Sequence, residues 1–115
     1  MITEIIKRDG RKTQFDQTKI VDAIEKAFQA SGAMQDRNVA EQITRSVVDK
    51  LEQGAIEGVP TVEGIQDLVE QELIEENFGQ TAKAYILYRA ERSRVRDVNS
   101  RLVQTLKDIT FSKAS

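Results

Sequence analysis

Met1-Ile2-Thr3-Glu4-Ile5-Ile6-Lys7-Arg8-Asp9-Gly10-Arg11-Lys12-Thr13-Gln14-Phe15-Asp16-Gln17-Thr18-Lys19-Ile20 opens the chain, and the reading of this stretch decides the fold. Ile2, Ile5 and Ile6 make a first apolar run, and Lys12-Thr13-Gln14-Phe15 a second that ends in an aromatic. Asp9-Gly10 stands between them. An Asp-Gly pair between strand-like runs predicts a β-hairpin closed by a tight primed turn, because such a turn needs positive φ and glycine supplies it without steric cost. Asp16 then reads as an N-cap, its carboxylate accepting from the unpaired amides of a first helical turn. Ile20, Ile24, Ala27 and Phe28 follow at helical spacing. The stretch is therefore a hairpin that runs straight into a helix.

Lys7, Arg8 and Arg11 gather positive charge at the turn. Charge pattern alone leaves two readings open. One is a solvated basic turn. The other is an anion site, to which the N-terminus of the following helix adds free amides and a positive dipole end, and Lys19 a further cation one turn in.

Outward from this element the chain reads as supporting helices. Residues 17–30 form the first, stopped at Ser31-Gly32-Ala33 with Gly32 as a left-handed cap. Residues 36–53 form the second, with Val39, Ile43, Val47 and Leu51 as its apolar stripe. Gln53-Gly54-Ala55-Ile56-Glu57-Gly58-Val59-Pro60 is a loop, and Thr61 caps a third helix that turns Ile65, Leu68, Val69 and Leu73 inward, with Gln66 beside that face. Glu70, Glu72, Glu75 and Glu76 read as a solvated acidic face. Asn77-Phe78-Gly79 ends this helix, and a long fourth begins near Gln80 with Ala82, Tyr85, Ile86 and Arg89 inward. Arg89 and Arg92 stand one turn apart. Beyond them Val95, Val98, Leu102, Leu106 and Ile109 continue an apolar stripe that predicts packing on a neighbouring domain or another copy. The fold class is α+β, mainly helical.

With 115 residues the chain can bury one modest core. A net charge of −2 gives no global basic field for nucleic acid. There is no cysteine and no histidine, which excludes disulfides, thiol nucleophiles, a cysteine zinc ribbon and histidine general bases within this chain. No apolar run approaches the roughly 20 residues of a membrane span, and no secretory segment follows Met1; a cytoplasmic setting is compatible with this.

Ile6-Lys7-Arg8-Asp9-Gly10-Arg11 followed by Phe15-Asp16-x-x-Lys19-Ile20-x-x-Ala23-Ile24 resembles the opening of an ATP-cone. The likeness continues in Val62-Glu63-x-Ile65-Gln66-Asp67-x-Val69-Glu70 and in Ala82-Lys83-Ala84-Tyr85-Ile86-Leu87-Tyr88-Arg89. Such cones are regulatory nucleotide-binding domains at the N-terminus of many ribonucleotide reductases, and occur also in a nucleotide-sensing repressor of reductase genes. The resemblance implies a hairpin lid over a four-helix bundle, with ATP or dATP between them as allosteric effector and Mg2+ shared with the phosphates. Lys7 and Arg8 would contact phosphates, with Arg89 or Arg92 completing that end. Asp16 would lie near the adenine, Thr13 would frame the base, and Lys19 and Ile20 would line the ribose and base. Thr61 and Gln66 would approach from the third helix. It further implies a cone over residues 1–92 and a helical extension over 93–115, leading to a reductase catalytic domain.

The extension, Arg94-Val95-Arg96-Asp97-Val98-Asn99-Ser100-Arg101-Leu102 and then Asp108-Ile109-Thr110-Phe111, resembles the junction into the catalytic domain of the anaerobic, glycyl-radical class of ribonucleoside-triphosphate reductase. Reductases use cysteine radicals, so this chain is expected to be a regulatory part of such an enzyme and not an enzyme by itself. ATP and dATP would act as opposing signals through conformation or homo-oligomeric contacts. A free-standing or repressor-type cone is the alternative within the family. Outside it stand a nucleic-acid module built on the basic residues, disfavoured by the acidic balance and the lack of interleaved aromatics, and a small phosphotransferase, for which no Gly-rich phosphate loop is present.

Overall fold

The computed structural model describes residues 2–33 and 35–114, with side chains described up to Val95 and at Val98. Strand β1, Glu4–Ile6, pairs antiparallel with β2, Lys12–Gln14, in the register Glu4↔Gln14, Ile5↔Thr13 and Ile6↔Lys12. Helices α1 (Gln17–Ser31), α2 (Arg37–Glu52), α3 (Val62–Glu75) and α4 (Gly79–Ala114) follow. This is the expected α+β, mainly helical fold, a hairpin on four helices.

The hairpin closes by a different turn from the tight primed one. Lys7 N–H donates to the Arg11 carbonyl at 2.7 Å, and Gly10 N–H donates to the Lys7 carbonyl at 2.8 Å. Three residues, Arg8, Asp9 and Gly10, therefore lie inside the closing pair. Of these only Gly10 takes positive φ, at 87°. The glycine thus serves as the left-handed residue after an ordinary turn, the arrangement of a three-residue hairpin loop.

Helix α1 begins and ends where its caps dictate. Asp16 accepts from Thr18 N–H at 3.0 Å, and Gly32, at φ 74°, sends its N–H back to the Gln29 and Phe28 carbonyls. Thr61 caps α3, its hydroxyl accepting from Gly64 N–H at 3.0 Å.

The core lies between the helices. Ile24, Phe28, Val47, Val69 and Leu73 are fully enclosed, joined by Val21, Ala27, Ala40, Ile43, Leu51, Ile65, Ala82 and Tyr85. Phe28 meets Phe78 edge-to-face with centroids 5.2 Å apart, closing the end where α1 stops and α4 starts. At the same end Ser31 Oγ and Thr81 Oγ1 lie 3.1 Å apart, and further along the two helices Lys26 Nζ sits 5.7 Å from the centroid of the Tyr88 ring. These pairs set α1 and α4 antiparallel.

Two inward assignments change. Ile86 is 44% exposed, because among the described residues α4 packs chiefly on α1 and α3 and its inner face is narrower than the apolar spacing suggests. Glu72, expected on a solvated face, is buried: its carboxylate takes Lys50 Nζ at 2.6 Å, while Glu75 takes the same ammonium at 2.9 Å. The pair ties α2 to α3. Helix α4 runs unbroken through the boundary expected after residue 92.

Candidate functional site

Strand β2 leads through Phe15 directly into the Asp16 cap, so the start of α1 is fixed to the hairpin by the chain itself. The start of α3 is brought there by hydrogen bonding. Ile6 N–H donates to the Pro60 carbonyl at 2.9 Å, and Ile6 bridges Thr61 in parallel. Two helix N-termini therefore converge on one small sheet, and each contributes unpaired amides and the positive end of a dipole.

The cations of the turn stand at the Ile6 end of the sheet, beside the start of α3. Lys7 and Arg8 are exposed. Arg11 is exposed too, but its guanidinium pairs with Asp9 at 2.6 Å and its N–H donates to the same carboxylate at 3.1 Å. That backbone N–H, assisted by the guanidinium and by Lys7, lowers the Asp9 carboxyl from its ordinary value against an opposing desolvation. Lys19 is exposed on the first turn of α1, with Ile20 half-buried behind it. Thr13, half-buried on β2, pairs with Ile5, while Asp16 is spent on its cap. Thr61 is exposed beside Ile6, and Gln66 is half-buried a little over one turn into α3.

Arg89 and Arg92 differ. Arg92 is exposed, and the antiparallel α1–α4 register (Ser31 against Thr81, Lys26 against Tyr88) sets it about level with residue 21 of α1, the hairpin end. Arg89 Nη1 donates to Asp67 Oδ1 and to Glu70 Oε1, both at 2.7 Å, and Nη2 reaches the Glu63 carbonyl at 3.3 Å. Burial works against its charge, but the hydrogen bonds to the two carboxylates outweigh it and raise the pKa above the ordinary arginine value. Tyr85, enclosed beside it, has its phenol pushed up by burial.

Lys7, Arg8 and Thr13 thus stand on the hairpin, Asp16, Lys19 and Ile20 at the start of α1, and Thr61 and Gln66 at the start of α3, while Arg92 lies on α4 toward the hairpin end and Arg89 is bonded to α3. Sequence reasoning missed Pro60, whose carbonyl anchors the hairpin, and the acceptor set of Glu63, Asp67 and Glu70. The latter carried a signal: spacings of four and three place them on one helical face. Among the described residues no group of three or more acidic side chains is arranged to hold a metal ion, and no helix is long and apolar enough to cross a membrane. The depression bordered by Ala33, Phe78, Thr81 and Lys83 lies at the opposite end of the bundle and touches none of these residues.

Residues 3–94 match the family model for the ATP cone domain. The chain is 40% identical over 104 residues to a vitamin B12-dependent ribonucleoside-diphosphate reductase of Thermoplasma acidophilum, covering 84% of this chain and 13% of that protein. It is 37% identical over 103 residues to a ribonucleoside-diphosphate reductase subunit alpha of Chlamydia pneumoniae, covering 83% and 10%. To an anaerobic ribonucleoside-triphosphate reductase of Haemophilus influenzae it is 32% identical over 108 residues, covering 91% and 15%. The chain therefore spans only a small fraction of the length of the reductases it matches. A basic hairpin tied to two helix starts on a four-helix bundle, matched by the family model over most of its length, makes this chain a member of the ATP-cone domain family.

Proposed function

We propose that this chain is the allosteric nucleotide-binding domain of a ribonucleotide reductase, of the anaerobic ribonucleoside-triphosphate class, and that ATP and dATP are its effectors. The observation that supports the reading is the tie of the strand carrying Lys7 and Arg8 to the start of α3, through the Ile6 bridge to Pro60 and Thr61, with α1 starting directly from the other strand of the same hairpin. A triphosphate needs several cations and oriented N–H donors at close range. Lys7 and Arg8 meet the phosphates from the hairpin, Lys19 from α1 and Arg92 from α4. Asp16, Thr13 and Ile20 border the adenine and ribose, with Thr61 and Gln66 approaching from α3. Magnesium, in this reading, is held by the phosphates and water, since no cluster of carboxylates among the described residues is placed for it. A cytoplasmic setting goes with an intracellular nucleotide effector.

The output is a switch. ATP and dATP differ by one hydroxyl, and they signal differently only by stabilising different conformations or assemblies. The extension beyond residue 92 passes that difference to the catalytic domain or to another copy. Calorimetric titration with ATP and dATP, with mass followed by light scattering, tests this. Both nucleotides bind, only one changes the assembly, and Lys7→Ala weakens both by at least about tenfold, the loss of one charge-assisted phosphate contact. A folded sample that binds neither nucleotide refutes the reading.

A further inference from the structure

Ile2, Ile5 and Phe15 of the hairpin pack against the core, and its main chain has two fastenings to the bundle. One is covalent, through Phe15 into α1. The other is the hydrogen bond from Ile6 to Pro60 with the bridge to Thr61, at the turn end of β1. The turn end of the hairpin, next to Lys7 and Arg8, is thus tied to the start of α3. That start is itself held: Arg89 of α4 gathers the Glu63 carbonyl, Asp67 and Glu70 from the first turn to the middle of α3. Its side chain is only 20% exposed and that of Glu70 22%.

An arginine so placed is poorly suited to be a phosphate ligand. To reach a phosphate it must give up two charge-assisted hydrogen bonds. It would also leave Asp67 and Glu70 facing the incoming anion unneutralised, a like-charge juxtaposition that opposes binding. We infer that Arg89 is a positioning residue: it clamps the start of α3 to α4 and, through Pro60 and Thr61, sets the hairpin that carries the phosphate-binding cations. This rests on the nucleotide-binding reading above and specifies how the site is held in shape.

The two roles predict opposite results for one double variant. If Arg89 were a ligand, Asp67→Asn with Glu70→Gln would release it and leave ATP affinity unchanged or tighter. As a clamp, its loss and the loss of its acceptors act alike. Arg89→Gln is expected to weaken ATP binding by about tenfold, within the range for residues that couple without contact. Asp67→Asn/Glu70→Gln should weaken it comparably, and all three changes together should add little, as for members of one network. A second readout is the hydrogen exchange of the Ile6 amide. It should accelerate in either variant while the Ile24 and Val47 amides keep their protection, which a general loss of stability would not produce. Arg89→Lys, which retains the charge but not the fork, should fall between wild type and Arg89→Gln, and substitutes for it if that variant does not fold.

Unchanged Ile6 exchange in the Arg89 variants overturns the inference, as does unchanged or tighter ATP binding in the acceptor variant. If the wild-type chain binds no ATP, the nucleotide reading fails, and Ile6 exchange still decides whether Arg89 positions the hairpin.

Discussion

Gly10 shows how much a single backbone angle carries. It holds φ at 87°, and a Cβ placed there meets nothing within 4 Å. Alanine is thus opposed only by the backbone, at about 1–2 kcal/mol for a left-handed residue. Gly10→Ala is expected to loosen the tip and weaken nucleotide binding, with Gly10→Asn milder because asparagine tolerates this region. Titration and the amide spectrum of residues 7–11 check both. The caps at Asp16 and Gly32 were legible because each is satisfied within a few residues of its own position. The turn was only half legible, since an Asp-Gly pair suits two loop lengths and strand pairing selects between them. Arg89 was legible as a cation on the right helix, but its partners depend on how α3 and α4 lie together, which no local pattern states.

At the scale of elements, the contact of α2 with α3 contains an ion pair within its apolar seam. Glu72 is buried, and Lys50 is its partner. The hydrogen bonds to Glu72 and then Glu75 raise the Lys50 pKa above the ordinary 10.5. A raised value means stabilisation that is complete below the unfolded-state pKa and is lost as pH climbs through the folded one. Urea unfolding should therefore show an alkaline decline above about pH 10.5 that Lys50→Met lacks. At neutral pH that variant is expected to cost about 1–3 kcal/mol, since it leaves a buried carboxylate without its cation. The stripes of α1, α2 and α3 were readable because each contacts the bundle along most of its length. Glu72 and Ile86 were not, because the identity of the neighbour and the width of the contact decide burial at the edge of a stripe.

For the whole molecule, the last core residue among the described side chains is Tyr85, while α4 continues to Ala114. Shortening the chain after Arg94 should shift unfolding stability by no more than about 0.5 kcal/mol, as for changes away from the core. Nucleotide binding should persist, and nucleotide-dependent association should disappear, as read by light scattering. The stripe from Val95 through Ile109 was visible in the sequence, but its residues past Val98, like Met1, Met34 and the rest of the extension after Val95, lie outside the described side chains. The continuity of α4 has a mechanical consequence. The helix has 36 residues, about 54 Å at 1.5 Å per residue, and sets the 58 Å long dimension of the molecule. About 30 Å of it extends beyond Arg94. A rigid arm of that length multiplies angle into distance: a tilt of about 10° at its base displaces the far end by about 5 Å, roughly one helical turn.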